Sequence, residues 1–200
     1  MKKIISLLAI MISGLSFAQV TFNPGIRIGA NISHFSDGPA HQAWNYTDSN
    51  HYYYYGYNTF DVKSKVDLYI GFQGNIRFAK IYALQPELYY SRQGARFESQ
   101  ESSVPSKTVT VSYIGAAMVN KFYFDKFNIH FGPTLELLTD HKNIDFTTEA
   151  DLGILLGTGY DITKNIGVEA RIKKGFVHIY NDHTNVTFQA GVYYTFNMKK

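Results

Sequence analysis

Between residues 65 and 78 the chain sorts its side chains by parity. Val66, Leu68, Ile70, Phe72, Ile76 and Phe78 take even positions, while Lys65, Asp67, Tyr69, Gln73, Asn75 and Arg77 take odd ones. A period of two sends successive side chains to opposite faces, so this segment reads as a strand with one apolar and one polar face. The sorting recurs at 25–33, where Ile26, Ile28, Ala30 and Ile32 alternate with Arg27, Gly29, Asn31 and Ser33. It recurs again at 84–91, 127–137, 166–173 and 185–196, and less cleanly at 109–124 and 150–162. Eight strands result, with no amphipathic helix.

The connections alternate in length. Short ones fall at Ala79-Lys80, Asp125-Lys126 and Thr163-Lys164-Asn165, and longer ones at about 36–64, 98–107, 139–149 and 180–184. Tight turns at one end and long loops at the other describe a meander, and eight strands can close on themselves and abolish the exposed edges. The expected fold is all-β: an eight-stranded antiparallel up-and-down β-barrel.

The first segment stands apart. Lys2 and Lys3 precede an apolar run over 4–15, and Ser16-Phe17-Ala18 supplies small residues where a signal peptidase reads. Residues 1–18 are expected to be a cleaved signal peptide, with 19–200 as the barrel domain. The chain has no cysteine, which excludes a disulfide scaffold, a thiolate metal site, a Cys nucleophile and a lipidated N-terminal Cys. Without Lys2 and Lys3 the basic and acidic residues nearly balance, so nucleic acid is not an expected partner.

Alternation alone leaves open which face points outward. Apolar inward means a soluble periplasmic lipocalin-like barrel binding an apolar ligand; apolar outward means an outer-membrane barrel with a polar lumen. The polar face is rich in Gly, Asn, Gln, Thr and Tyr and poor in Lys and Glu, unlike a solvated exterior. Aromatics gather near strand ends on the apolar face, at Phe78, Phe122, Phe124, Phe127, Tyr160, Tyr194 and Phe196, where an interfacial girdle belongs. Both features favour the outward, transmembrane arrangement.

Particular residues agree. Gly25-Ile26-Arg27-Ile28-Gly29-Ala30-Asn31-Ile32-Ser33 resembles the opening G-x-K-x-G-x-N-x-S of PorT-type outer-membrane β-barrel proteins. Pro86-Glu87-Leu88-Tyr89-Tyr90-Ser91-Arg92-Gln93-Gly94-Ala95 is similar to that family's third strand. The resemblance implies an eight-stranded barrel with periplasmic termini in the outer membrane of a Gram-negative bacterium. Gly115 and Ala117 depart from the family's Glu and Pro, and Asn120 places an amide on the otherwise apolar face.

A lumen this narrow is filled by side chains. Its candidate charge network is Arg27, Arg77, Glu87, Lys121, Glu136, Glu169, Arg171 and Lys173, with Asp67 or Asp151 available to complete the acids. The expected role is a structural plug, since an unpaired buried charge is costly. The most distinctive loop carries Trp44, Tyr46, Tyr52, Tyr53, Tyr54, Tyr55 and Tyr57 among Asn, Asp and Ser, a composition suited to stacking on sugars or proteins. It is a candidate surface-binding loop; the alternative is that it folds over the barrel mouth, its tyrosines packing on each other and on the membrane interface.

Enzymatic signals are weak. Ser33 with His34, or His178 and His183 with Asp182, are the available groups for a lipid- or acyl-modifying enzyme, but no G-x-S-x-G elbow occurs. Six histidines (His34, His41, His51, His141, His178 and His183) fall toward the long loops without HxxxH or HExxH spacing. No catalytic, cofactor or metal residues are assigned. Expected partners are outer-membrane lipid and lipopolysaccharide, the barrel-assembly machinery, and an extracellular glycan or protein for the aromatic loop.

Overall fold

Nine strands carry the chain: β1 (Thr21–Ser36), β2 (His41–Thr47), β3 (Tyr53–Ala79), β4 (Tyr82–Ser99), β5 (Lys107–Phe124), β6 (Phe127–Lys142), β7 (Ala150–Asp161), β8 (Ile166–Gly175) and β9 (Thr184–Thr195). The computed structural model describes residues 20–36, 41–47, 53–99, 105–143, 148–178 and 184–197; for 36, 41–47 and 53–60 it describes the backbone alone. Eight strands form the ring, each antiparallel to its neighbours, and β1 closes it by pairing with both β9 and β3.

The register fixes the geometry of closure. From Ile32 a row runs through Phe188, Ile172, Leu156, Phe131, Asn120, Leu84 and Ile76, and returns to β1 at Phe22, ten residues lower. That stagger requires strands tilted by roughly 35–45° from the barrel axis.

The ring is inside out relative to a soluble barrel. Phe72 is 68% exposed and Leu88 56%, while Arg27, Glu87, Glu136 and Arg171 are all buried. A water-filled exterior would be paired with the opposite arrangement, so the soluble lipocalin-like alternative is overturned. Near the short turns Phe78 stacks on Tyr82, Tyr82 meets Phe122, and Phe122 stacks on Phe131, an aromatic belt where an interface would lie. Asn120 is accommodated within it, because the Tyr82 hydroxyl donates to Asn120 Oδ1 at 2.9 Å.

Glycines on the inner face make room for tyrosines. Tyr89 lies over Gly115, Tyr69 over Gly29 and Gly191, and Tyr193 over Gly167. Each ring covers backbone that a side chain would otherwise shield, a cross-strand pairing of aromatic with glycine.

The Asn31 and Ser33 of the opening motif have a local task. β3 uses one more residue than β4 between the Ser64↔Ala95 and Tyr69↔Ser91 pairs, leaving a bulge where ladder bonds lapse. Asn31 Nδ2 reaches past β3 and donates to the Arg92 carbonyl at 2.7 Å. Ser33 Oγ accepts from the Gly94 amide and donates to the Gly94 carbonyl, both at 2.8 Å. Gly94 sits at φ 150°, where a Cβ would also strike the Val109 carbonyl, so glycine is required.

One expectation is corrected. Most of the segment assigned as a loop over 36–64 is strand: β2 pairs with the first part of β3, and β3 runs for 27 residues. Tyrosine and Trp have high β propensity, and the alternation there is hidden because aromatics occupy both parities. Replacing Gly167 by Val should drive Cβ and methyls into the Tyr193 ring and destabilise the barrel by about 1–3 kcal/mol. The check is the melting midpoint in detergent, with Tyr193→Ala in the same chain expected to recover part of the loss.

Candidate functional site

The lumen is stacked in layers from the short-turn end to the long-loop end. In the first layer, cations lie on tyrosines. The Arg77 guanidinium is 3.8 Å from the Tyr123 ring centre, and the Lys121 ammonium is 4.5 Å from that of Tyr193 and 5.4 Å from that of Tyr123. Asn75 Nδ2 donates to the Tyr123 hydroxyl at 2.8 Å, and the Tyr193 hydroxyl donates to Asp161.

The second layer is a closed ring of four charges alternating in sign. Arg27 of β1 binds Glu87 of β4 and Glu169 of β8. Arg171 of β8 donates to Glu87 through both terminal nitrogens, at 2.8 and 2.9 Å, and pairs with Glu169 at 2.9 Å. Since β4 and β8 stand opposite each other in the ring, the Glu87–Arg171 fork spans the full lumen. Gln85 Nε2 donates to Glu87 at 2.7 Å and the Tyr69 hydroxyl to Glu169 at 2.9 Å.

Amides and hydroxyls dominate the third layer. Lys173 pairs with Glu136, which also accepts from Gln93 Nε2 at 3.1 Å. Gln93 Oε1 in turn accepts from Thr187 Oγ1 at 3.0 Å and from Asn185. Above these the inner face turns apolar: Phe35, Ala95, Phe97, Val109, Val111 and Tyr113 form a buried cluster, with Val62 and Leu138 against it. This cluster is absent from the expected polar lumen. Its signal was available in β5, whose inward positions change from Lys121 and Tyr123 to Val109 and Val111.

The eight candidate network residues thus divide. Arg27, Glu87, Glu169 and Arg171 come together, and Glu136 and Lys173 form a separate pair. Arg77 and Lys121 stand apart on aromatic faces, and Arg77 donates to the Lys80 carbonyl at 3.1 Å. Asp67 binds Lys65 and lies 3.8 Å from Arg92, while Asp151 accepts the Val177 amide at 3.2 Å, so neither joins the ring of four.

Ser33 and His34 are adjacent on β1 and point to opposite faces, and the Ser33 hydroxyl is committed to Gly94. They do not form a nucleophile–base pair. His178 is exposed, and Asp182 and His183 lie outside the described residues, as do His51 and Tyr52. In the aromatic hairpin, Trp44 stands across from Gly56 and Tyr46 from Tyr54, while Tyr53, Tyr55 and Tyr57 take the alternate register positions.

Removing Glu87 leaves two buried guanidiniums with one of their two shared carboxylates. Breaking one partner of a buried ion pair costs about 3–5 kcal/mol. Glu87→Ala should therefore lower the melting midpoint in detergent clearly, and Glu87→Gln by less, because the amide oxygen still accepts. Unchanged melting of both variants would remove Glu87 from any buried role.

Comparison with known proteins fits this geometry. Neisserial surface protein A superposes with a TM-score of 0.53 at 17% identity, over 86% of this chain and 97% of that one. OprG from Pseudomonas aeruginosa gives a TM-score of 0.51 at 11% identity, over 90% of this chain and 98% of that one. Both likenesses are of fold. A search of curated proteins finds no match. The family model of the outer membrane protein beta-barrel domain matches residues 17–181, more than half of the chain. With its apolar face outward and its charges sealed inside, this chain belongs to the outer membrane β-barrel domain family and is a small eight-stranded barrel of that membrane.

Proposed function

We propose that the chain is a PorT-type barrel whose lumen is a structural plug and whose working surface is the tyrosine-rich β2–β3 hairpin, directed at an extracellular glycan or protein. It serves a structural or surface-binding role and not an enzymatic one. The observation that carries this reading is the occupation of the lumen by paired side chains, with an apolar cluster toward the long-loop end. A conduit needs continuous water, and a lumen packed with paired charges and an apolar cluster opposes it. The hairpin, in contrast, departs from the ring, and β2 pairs with β3 alone among the described residues.

Export through a signal peptide cleaved after Ala18 belongs to the same proposal, as do insertion by the barrel-assembly machinery and residence among lipid and lipopolysaccharide. The opening motif supports the PorT-type placement, because its Asn31 and Ser33 close the β3 bulge. Sequencing the mature N-terminus should give Gln19 first.

The decisive experiment removes residues 43–58. The shortened protein should still reach the membrane fraction and keep a folded gel mobility that shifts on heating. Binding of cells to a glycan array or to host-cell surfaces should fall severalfold. Retained binding would overturn the surface role of the hairpin, whereas loss of folded mobility would assign it to the barrel.

A further inference from the structure

Just beyond the apolar belt, the outer wall of β3 and β4 carries three cations. Ser91 and Gln93 are buried in the lumen, and Val62, Ala95 and Phe97 belong to the inner apolar cluster or pack against it. Alternation therefore sends Arg92, Arg96 and Lys63 to the outward face, where their side chains are roughly half exposed. Ten residues of β4 separate Tyr82 in the aromatic belt from Arg92. At the tilt of such strands that is about 25 Å along the membrane normal, the height of the apolar band in transmembrane barrels. Arg92 thus stands where the hydrocarbon ends on the long-loop side, directly after the outward Tyr90. Arg96 lies farther out by about 10 Å.

The register sets like charge beside like. Lys63 stands directly across from Arg96, and Asp61 directly across from Glu98. Like charges abreast on neighbouring strands oppose each other, so this arrangement works against the fold unless something lies between them. The two cations are on the membrane side and the two acids beyond them. Lys63 is 3.8 Å from Asp61, Arg96 is 3.4 Å from Glu98, and Arg92 is 3.8 Å from Asp67, which Lys65 also binds. Exposed ion pairs of this kind contribute little. On β4 the outward position between Arg92 and Arg96 is Gly94, so no side chain separates the two guanidiniums. Thr110 stands across from Gly94 and Thr108 across from Arg96. Val109 and Val111 face the inner cluster, which places both threonine hydroxyls on the same outward face as the cations.

We propose that this face is a binding site for the phosphate-bearing headgroup of an outer-leaflet glycolipid. Arg92, Arg96 and Lys63 hold its phosphates, Thr108 and Thr110 offer hydroxyls to its sugars, and its acyl chains lie over Leu68, Tyr90 and Ile114 of the apolar belt. Charge and depth together select this ligand. The phosphates of such a lipid lie between its sugars and its acyl chains, the level at which Arg92 meets the end of the hydrocarbon. An acidic partner arriving from the aqueous side would meet Asp61 and Glu98 first. A guanidinium can bind two phosphate oxygens at once, which suits arginine to this position. The site rests on the residence among lipopolysaccharide proposed above, with the short turns in the periplasm. It does not require the β2–β3 hairpin to be a binding surface.

The test titrates the full barrel in uncharged detergent with lipid A and counts bound lipid by native mass spectrometry. Lipid A should bind saturably, and the same lipid stripped of its phosphates at least tenfold more weakly. Inorganic phosphate should not displace it, which separates a lipid headgroup from a free anion. Lys63→Gln, Arg92→Gln and Arg96→Gln combined should weaken lipid A binding at least tenfold. Lys80→Gln with Lys126→Gln, at exposed short turns on the opposite end, should leave it unchanged. Should the triple variant fail to assemble, Arg96→Gln alone should weaken binding severalfold. Equal binding of the dephosphorylated lipid, displacement by inorganic phosphate, or an equal loss in the short-turn variant would overturn the proposal. Cell fractionation reports on membrane residence and the titration on the site, so either can fail without the other.

Discussion

In hydrocarbon a backbone amide or carbonyl has no water to turn to, so each must be satisfied by another part of the chain. A sheet meets that demand only when its first and last strands join, and here β1 does so by pairing with β9 on one side and β3 on the other. The ten-residue stagger, the outward apolar rows and the aromatic belt all follow from closing eight strands in that medium. Where the ladder lapses at the β3 bulge, Asn31 and Ser33 reach across from β1 and bond the backbone of β4. The motif residues therefore serve closure itself.

Closure creates a second demand. An eight-stranded ring encloses a space that side chains fill, and the polar face enters it as a matter of parity. Charges confined there must neutralise each other across the lumen. Arg27, Glu87, Arg171 and Glu169 do this as a four-membered ring, and glycines beside Tyr69, Tyr89 and Tyr193 make the volume available. The apolar cluster around Phe35 and Phe97 then fills one side of the lumen toward the long-loop end. What is left for contact with other molecules is the rim and the hairpin that leaves the ring.

The strands were legible because a half-buried strand writes its two environments directly onto odd and even positions. The direction of the faces was legible too, from the shortage of Lys and Glu on the polar side and the aromatics at strand ends. The β2–β3 hairpin was not, since Trp44, Tyr46, Tyr54 and Tyr55 give no contrast between parities. The inward-facing set was readable residue by residue, but its pairing was not. Arg27 meets Glu169 across 142 positions of sequence and Arg171 meets Glu87 across 84, and only the register of intervening strands decides that. The same register keeps Arg77 and Lys121 from the ring of four and sets them on tyrosines.

Local pattern thus determined the number of ring strands, their alternating faces and the lipid-facing sense of the apolar one, because each depends on neighbours one or two residues away. Tertiary structure decided which charge answers which, where the apolar cluster of the lumen lies, and that Arg77 and Lys121 rest on tyrosine rings. Those outcomes depend on stagger around a closed ring, a quantity summed over every strand pair and written in no single segment.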